Sequence, residues 1–194
     1  MFETTVKRNL RVLDWDLETV AAGFADPDWV PQKITCAAWS WIGEDEVHVR
    51  VCGPTGLFGN PAKRVQMLKP LLKALNQADM FTGHNLLRFD LPVLQAELMR
   101  LGMGKLPTAI PVQDTMKLLK SKGFKKGQDN LGEMLRVKMK KKAMDWQAWQ
   151  DEYDRVGWPG IQERCVSDIQ QHKQIRDELM ERDIMQYVKK WKPR

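Results

Sequence analysis

The sequence predicts a single α/β domain, residues 1–194, built on a mixed five-stranded sheet with helices on both faces. Three observations lead there. Three strand-like runs follow one another near the N-terminus; helical and strand-like segments alternate after them; and the last third ends in a long helix with a continuous apolar stripe. At 194 residues the chain is long enough to bury one good core and short for two.

Residues 10–18 form the first strand, and a loop rich in Gly, Asp and Pro, "GFADPDWVPQ", follows. "KITCAAWSWI" and "EVHVRVC" read as a hairpin closed at Gly43, Glu44 and Asp45, with Val47, Val49 and Val51 alternating as a one-sided strand requires. In that strand His48 faces solvent. From Ala62 to Ala78, Val65, Leu68, Leu72 and Leu75 recur at helical spacing, with a kink at Pro70. "MFTGHN" is a short central strand. "DLPVLQAELMRLG" is a helix, with Pro92 in its first turn and Gly102 at its stop. A fifth strand covers 109–112 and leads to a helix opened by Asp114. In the final helix, about 160–189, Ile161, Cys165, Asp168, His172, Ile175 and Leu179 share one face.

The balance of 43% hydrophobic and 29% charged residues is that of a folded globular chain, not a disordered one. No apolar run approaches the roughly 18 residues of a membrane span, and "MFETTVKRNL" lacks a signal-peptide core, so the expected compartment is the cytoplasm. Cys36, Cys52 and Cys165 are too scattered for a disulfide framework or a zinc site and are expected reduced and packed. The net charge of +6 is concentrated in 117–142, "KLLKSKGFKKGQDNLGEMLRVKMKKK". Two readings of that run stand, a solvated helix face or a surface for polyanions.

Carboxylates carry the chemistry. Asp16 and Glu18 share one face of the first strand, their Cα atoms about 7 Å apart, and two acids so close repel unless something positive lies between them. An exposed strand end would also explain them, and Asp14, one step further back, is assigned to that explanation. Asn85 and Asp90 sit where the central strand meets the next helix, the place where α/β sheets bind ligands; Asp90 is also a natural helix cap. Asp168 lies in the middle of an apolar stripe, where a carboxylate needs a cation or several hydrogen bonds. Oxygen ligands without a His or Cys cluster select a hard cation, and four carboxylates can hold two Mg²⁺ or Mn²⁺ ions about 4 Å apart, the arrangement of phosphoryl-transfer sites.

With Asp16-x-Glu18-Thr19, then Asn85-x-x-x-Phe89-Asp90, then Asp168 on a C-terminal helix, the sequence resembles the DEDD superfamily of 3′→5′ exonucleases, which have an RNase H-like fold. "GHNLLRFDLPVL" is similar to the proofreading exonuclease domains of family B DNA polymerases, and the likeness, from Val12 to Ile175, extends to freestanding phage exonucleases. The resemblance implies that Asp16, Glu18, Asp90 and Asp168 are metal ligands, that Thr19 lies beside the terminal nucleotide, and that Asn85 and Phe89 shape the cleft for the 3′ end. It implies hydrolysis of the terminal phosphodiester by an activated water, releasing a nucleoside 5′-monophosphate. Single-stranded 3′ ends, DNA before RNA, are the implied substrates, replication or repair proteins the implied partners, and the host cytoplasm the compartment of a phage-encoded chain.

One departure stands out. The family places a tyrosine four residues, or a histidine five residues, before the last aspartate, and this chain has Arg164 and Glu163 there. Arginine stays protonated and cannot act as a base, but it can hold a phosphate or stabilise developing charge. Glu163 points away from Asp168 on a continuous helix. His172, one turn beyond Asp168, reads as a satisfied core histidine or as a base. Lys140, Lys141 and Lys142 are expected to attract the phosphate backbone. Trp146 and Trp149 either pack their helix onto the core or stack bases.

Overall fold

The computed structural model describes residues 10–20, 33–52, 60–118, 126–153, 155–184 and 189–190. The loop expected at 23–32 and part of the lysine run, 119–125, lie outside the described residues.

Strand β1 (Val12–Val20) is central. It pairs antiparallel with β2 (Lys33–Trp41), which pairs antiparallel with β3 (His48–Val51). On its other side β1 runs parallel to β4 (Met80–Gly83), and β4 runs parallel to β5 (Pro111–Asp114). The expected mixed sheet of five strands is present, and a two-residue strand, β6 (Lys189–Lys190), extends its edge antiparallel to β5 where the sequence predicts the last helix running to about 189; that helix ends at Glu181. The order is β3-β2-β1-β4-β5-β6.

Helix α1 (Pro61–Gln77) opens on Asn60, whose Oδ1 accepts the Ala62 N–H at 3.0 Å, and it contains Pro70 in its interior. Helix α2 (Asp90–Leu101) ends at Gly102, whose φ of 65° is the left-handed stop expected of a glycine. The short helices α3 (Thr115–Leu118), α4 (Gln128–Leu135) and α5 (Trp146–Tyr153) lead to α6 (Pro159–Glu181). Strand β2 is buried at seven successive positions, so both faces of the sheet are covered there. Helix α6 takes the face that carries Ser40, to which Lys173 reaches, and α1 and α2 pack on the other.

Two sequence expectations change. Asp14 is not at an exposed strand end: β1 is central, both of its faces are covered, and Asp14 is completely buried. His48 does not stand free in solvent but packs on the Trp39 ring, centroids 5.4 Å apart. All three cysteines are buried and free, as their spacing suggested.

Candidate active site

Strand β1 outruns its parallel neighbour. Pairing with β4 covers only Val12 to Asp14, so Leu17 presents its N–H beyond the end of β4. Asp90 takes that donor: its Oδ1 accepts from Leu17 N at 3.2 Å, between the two acids of β1. A bulge shifts the β1–β2 register between Glu18 and Thr19, opposite Thr35, whose hydroxyl donates to the Glu18 carbonyl at 2.9 Å. The irregularity is thereby satisfied, and Glu18 and Thr19 are set at a fixed place on the strand.

The turn from β4 into α2 delivers Asp90. Asn85 sits in the left-handed region at φ 67°, and Asp114 holds the turn from below, accepting from Asn85 N and Leu87 N at 3.0 Å each. The same carboxylate caps α3 through Met116 N. Gly83 is required here because a Cβ would meet the Leu86 side chain at 2.6 Å. The backbone of Asn85 thus shapes the turn, while Phe89 is half-buried at the start of α2.

Helix α6 lays Asp168 across this end of the sheet. Oxygens of Asp16, Glu18 and Asp168 all lie within 4.8 Å of one another, drawn from two elements far apart in sequence. Asp90 borders the group and is close enough for its charge to act on Asp16. Burial first, then Asp90, Asp168 and Glu18, push the Asp16 carboxyl well above its usual range. Burial raises Asp90 to about 8, against the Leu17 N–H, and raises Glu18 to about 7, against the Arg164 guanidinium. Asp168 is raised too, by burial, with Lys141 and Arg164 opposing. Four acids that all resist ionisation in one place form a site short of positive charge.

The basic residues divide into distinct roles. Arg164, one turn before Asp168, donates through Nε to Glu18 Oε1 at 2.8 Å and through Nη1 to the Lys142 carbonyl at 2.8 Å, with its guanidinium 5.8 Å from the Trp149 ring centre. Lys141 turns inward, its Nζ 4.0 Å from Asp168 Oδ1 and 3.8 Å from Asp129 Oδ2. Lys142 pairs with Glu163, and its N–H donates to Ser167 Oγ at 2.8 Å. Lys140 is exposed. These lysines lie in a segment without regular secondary structure, not on the solvated helix face that was one reading of the run. Trp149 packs partly buried against the core, whereas Trp146 is exposed.

Sequence reasoning missed a buried chain beneath the cluster. His172 Nδ1 lies 2.7 Å from Asp14 Oδ2, His172 Nε2 lies 3.2 Å from Thr115 Oγ1, and that hydroxyl lies 2.8 Å from His84 Nδ1. The chain joins α6 to β1 and to the ends of β4 and β5. Its signals in the sequence were His172 on the apolar stripe of the last helix and Asp14, two residues before Asp16 on the same face.

The donor set fits a hard divalent cation. It is all carboxylate, and Asp168 Oδ1 is buried without a hydrogen bond, with only the Lys141 ammonium at 4.0 Å. Asp16, Glu18 and Asp168 are the residues that could hold such an ion, with Asp90 beside them.

No protein-family model matches the sequence, and no curated protein matches it. Among solved structures, the chain is similar to the family B DNA polymerase from the hyperthermophilic archaeon Pyrobaculum calidifontis, with a TM-score of 0.66 over 91% of this chain. The fold is RNase H-like. At 16% identity the likeness is one of fold, and this chain spans 25% of the polymerase chain. Among the described residues, no helix is long and apolar enough to cross a membrane.

Proposed function

We propose that this chain is a metal-dependent 3′→5′ exonuclease of the DEDD kind, hydrolysing the terminal phosphodiester of single-stranded nucleic acid, DNA in preference to RNA, to nucleoside 5′-monophosphates. The observation that carries the reading is the meeting of Asp16, Glu18 and Asp168 within 4.8 Å, with Asp90 alongside, on an RNase H-like sheet. A cluster of raised, largely desolvated carboxylates, with Asp168 buried and Asp16 and Glu18 partly so, has a cost in stability that a cation offsets and that a purely structural role does not explain.

In this reading Asp16, Glu18, Asp90 and Asp168 hold Mg²⁺ or Mn²⁺. Thr19, at the bulge, and Asn85 and Phe89, in the turn before α2, border the place of the 3′-terminal nucleotide. Lys140, exposed on the segment that leads to the cluster, attracts the phosphate backbone. A divalent cation at the cluster supplies positive charge to a phosphodiester and acidifies water. Arg164 supplies a further fixed positive charge at the cleft wall. His172 is withheld from the cleft, with both ring nitrogens engaged by Asp14 and Thr115.

A second reading is a nucleic-acid- or protein-binding module that has lost its chemistry, and the direct contact between Arg164 and Glu18 favours it. One experiment separates the two. Single-stranded DNA and RNA, labelled at either end, are incubated with Mg²⁺, with Mn²⁺ and with EDTA. Metal-dependent release of mononucleotides from the 3′ end is expected. Binding without digestion would establish the module, and cutting of a circular single strand would instead establish an endonuclease.

A further inference from the structure

Arg164 is anchored on three sides: by Glu18 Oε1, by the Lys142 carbonyl and by the Trp149 ring. Its side chain is only 17% exposed. A guanidinium does not discharge at any working pH, so this is a permanent charge inside the cluster. With Oε1 on Arg164, Glu18 has Oε2 to offer a cation, and Asp90 has Oδ1 committed to the Leu17 N–H.

The charge balance is informative. Asp16, Glu18, Asp90 and Asp168 bring up to four negative charges; Arg164 brings a positive one fixed on Glu18, and Lys141 one that it shares between Asp168 and Asp129. A cluster neutralised in part from within needs less positive charge from bound ions. The oxygens that converge within 4.8 Å come from Asp16, Glu18 and Asp168, a set for one such ion. A second dication would have to enter beside a guanidinium fixed on one of its own ligands, and like charges at that range repel strongly in a partly desolvated site.

The geometry points to Arg164 as a resident cation that takes the electrostatic place of a second metal ion, so that the cluster binds one divalent ion and not the two expected from four carboxylates. This inference rests on the metal-dependent reading above and concerns only the number of ions and the part Arg164 plays in it.

Bound Mn²⁺ is counted on the full chain by the loss of the free-ion electron paramagnetic resonance signal, at mildly alkaline pH. The count is made with and without a single-stranded oligonucleotide ending in phosphorothioate linkages, and Asp16→Asn with the same oligonucleotide is the blank. The wild type is expected to bind one ion per chain in both conditions. Arg164→Gln and Arg164→Met are expected to bind two, the second about tenfold or more tighter than any second ion on the wild type, and Arg164→Lys is expected to remain at one. Two ions on the wild type, with or without the oligonucleotide, would overturn the inference whether or not the variants fold, and so would one ion on a folded neutral variant. Complete absence of Asp16-dependent Mn²⁺ binding is a different result, since it removes the metal-dependent function itself.

Discussion

His172 on α6 and Asp14 on β1 lie 2.7 Å apart, nitrogen to oxygen, with both side chains essentially excluded from solvent. His172 is one turn beyond Asp168, and Asp14 is two residues before Asp16 on the same strand face. The pair therefore sets the register in which α6 crosses β1, and with it the distance between two carboxylates of the cluster. His172→Ala leaves a buried carboxylate without its partner and is expected to cost about 3 kcal/mol. Urea unfolding checks the stability. The rate per folded molecule should fall little and its pH profile should keep its shape, because His172 does not reach the cleft; a folded, inactive variant would make His172 a participant in the chemistry.

Removing a charge from the cluster should have the opposite effect on the metal-free protein. Asp16→Asn relieves repulsion from Asp90, Asp168 and Glu18, and Asp90→Asn still offers an oxygen to the Leu17 N–H. Both variants are expected to melt at or above the wild-type temperature in EDTA, to lose the stabilisation that Mn²⁺ gives the wild type, and to lose hydrolysis. If either unfolds in EDTA while the wild type gains nothing from Mn²⁺, these acids are structural.

The raised carboxyls set a pH dependence. Glu18 moves from 4.5 to about 7 and Asp90 from 3.8 to about 8, so between those values the folded protein holds protons that the unfolded chain has released. Their contribution to stability is complete below about pH 4 and declines until pH has passed 7 to 8, on the order of 3 kcal/mol for Glu18 and more for Asp90. Melts in EDTA should show the decline, and Glu18→Gln should flatten it. Mn²⁺ binds the deprotonated acids, so its stabilising effect should grow over the same range; a stabilisation independent of pH would contradict the assigned ligands.

Lys140 and Lys141 should respond differently. Lys140→Gln is expected to raise KM about two- to fivefold and to lower the salt dependence of binding, leaving kcat unchanged. Lys141→Gln removes the ammonium beside Asp168 Oδ1 and should tighten Mn²⁺ binding about tenfold. Titrations of metal and of salt distinguish the two, and equal responses from both variants would show that the inward turn of Lys141 is without consequence.

Much of the architecture was legible because it is local. Alternation along "VLDWDLET", the cap-and-stop signals around α2 and the apolar stripe of α6 are dictated by neighbours a few residues apart, and the elements form where those signals lie. The four acids were legible for a related reason: Asp168 on an apolar face and Asp90 at a strand-to-helix junction are out of place unless something gathers them. What the tertiary structure decided are contacts between residues with no such local signal. Asp14 looked like a strand-end acid until β1 became the centre of the sheet, and its partner lies 158 residues away. Asp114 read as a helix cap, yet it also organises the turn that carries Asp90. Arg164 stood out as a departure from a familiar pattern, but that its guanidinium is fixed on Glu18, 146 residues distant, depends on how far β1 outruns β4 and how α6 crosses it. Side-chain identity and spacing determine which groups are available; the charge each one meets is set only when the sheet order and the helix register bring distant segments together.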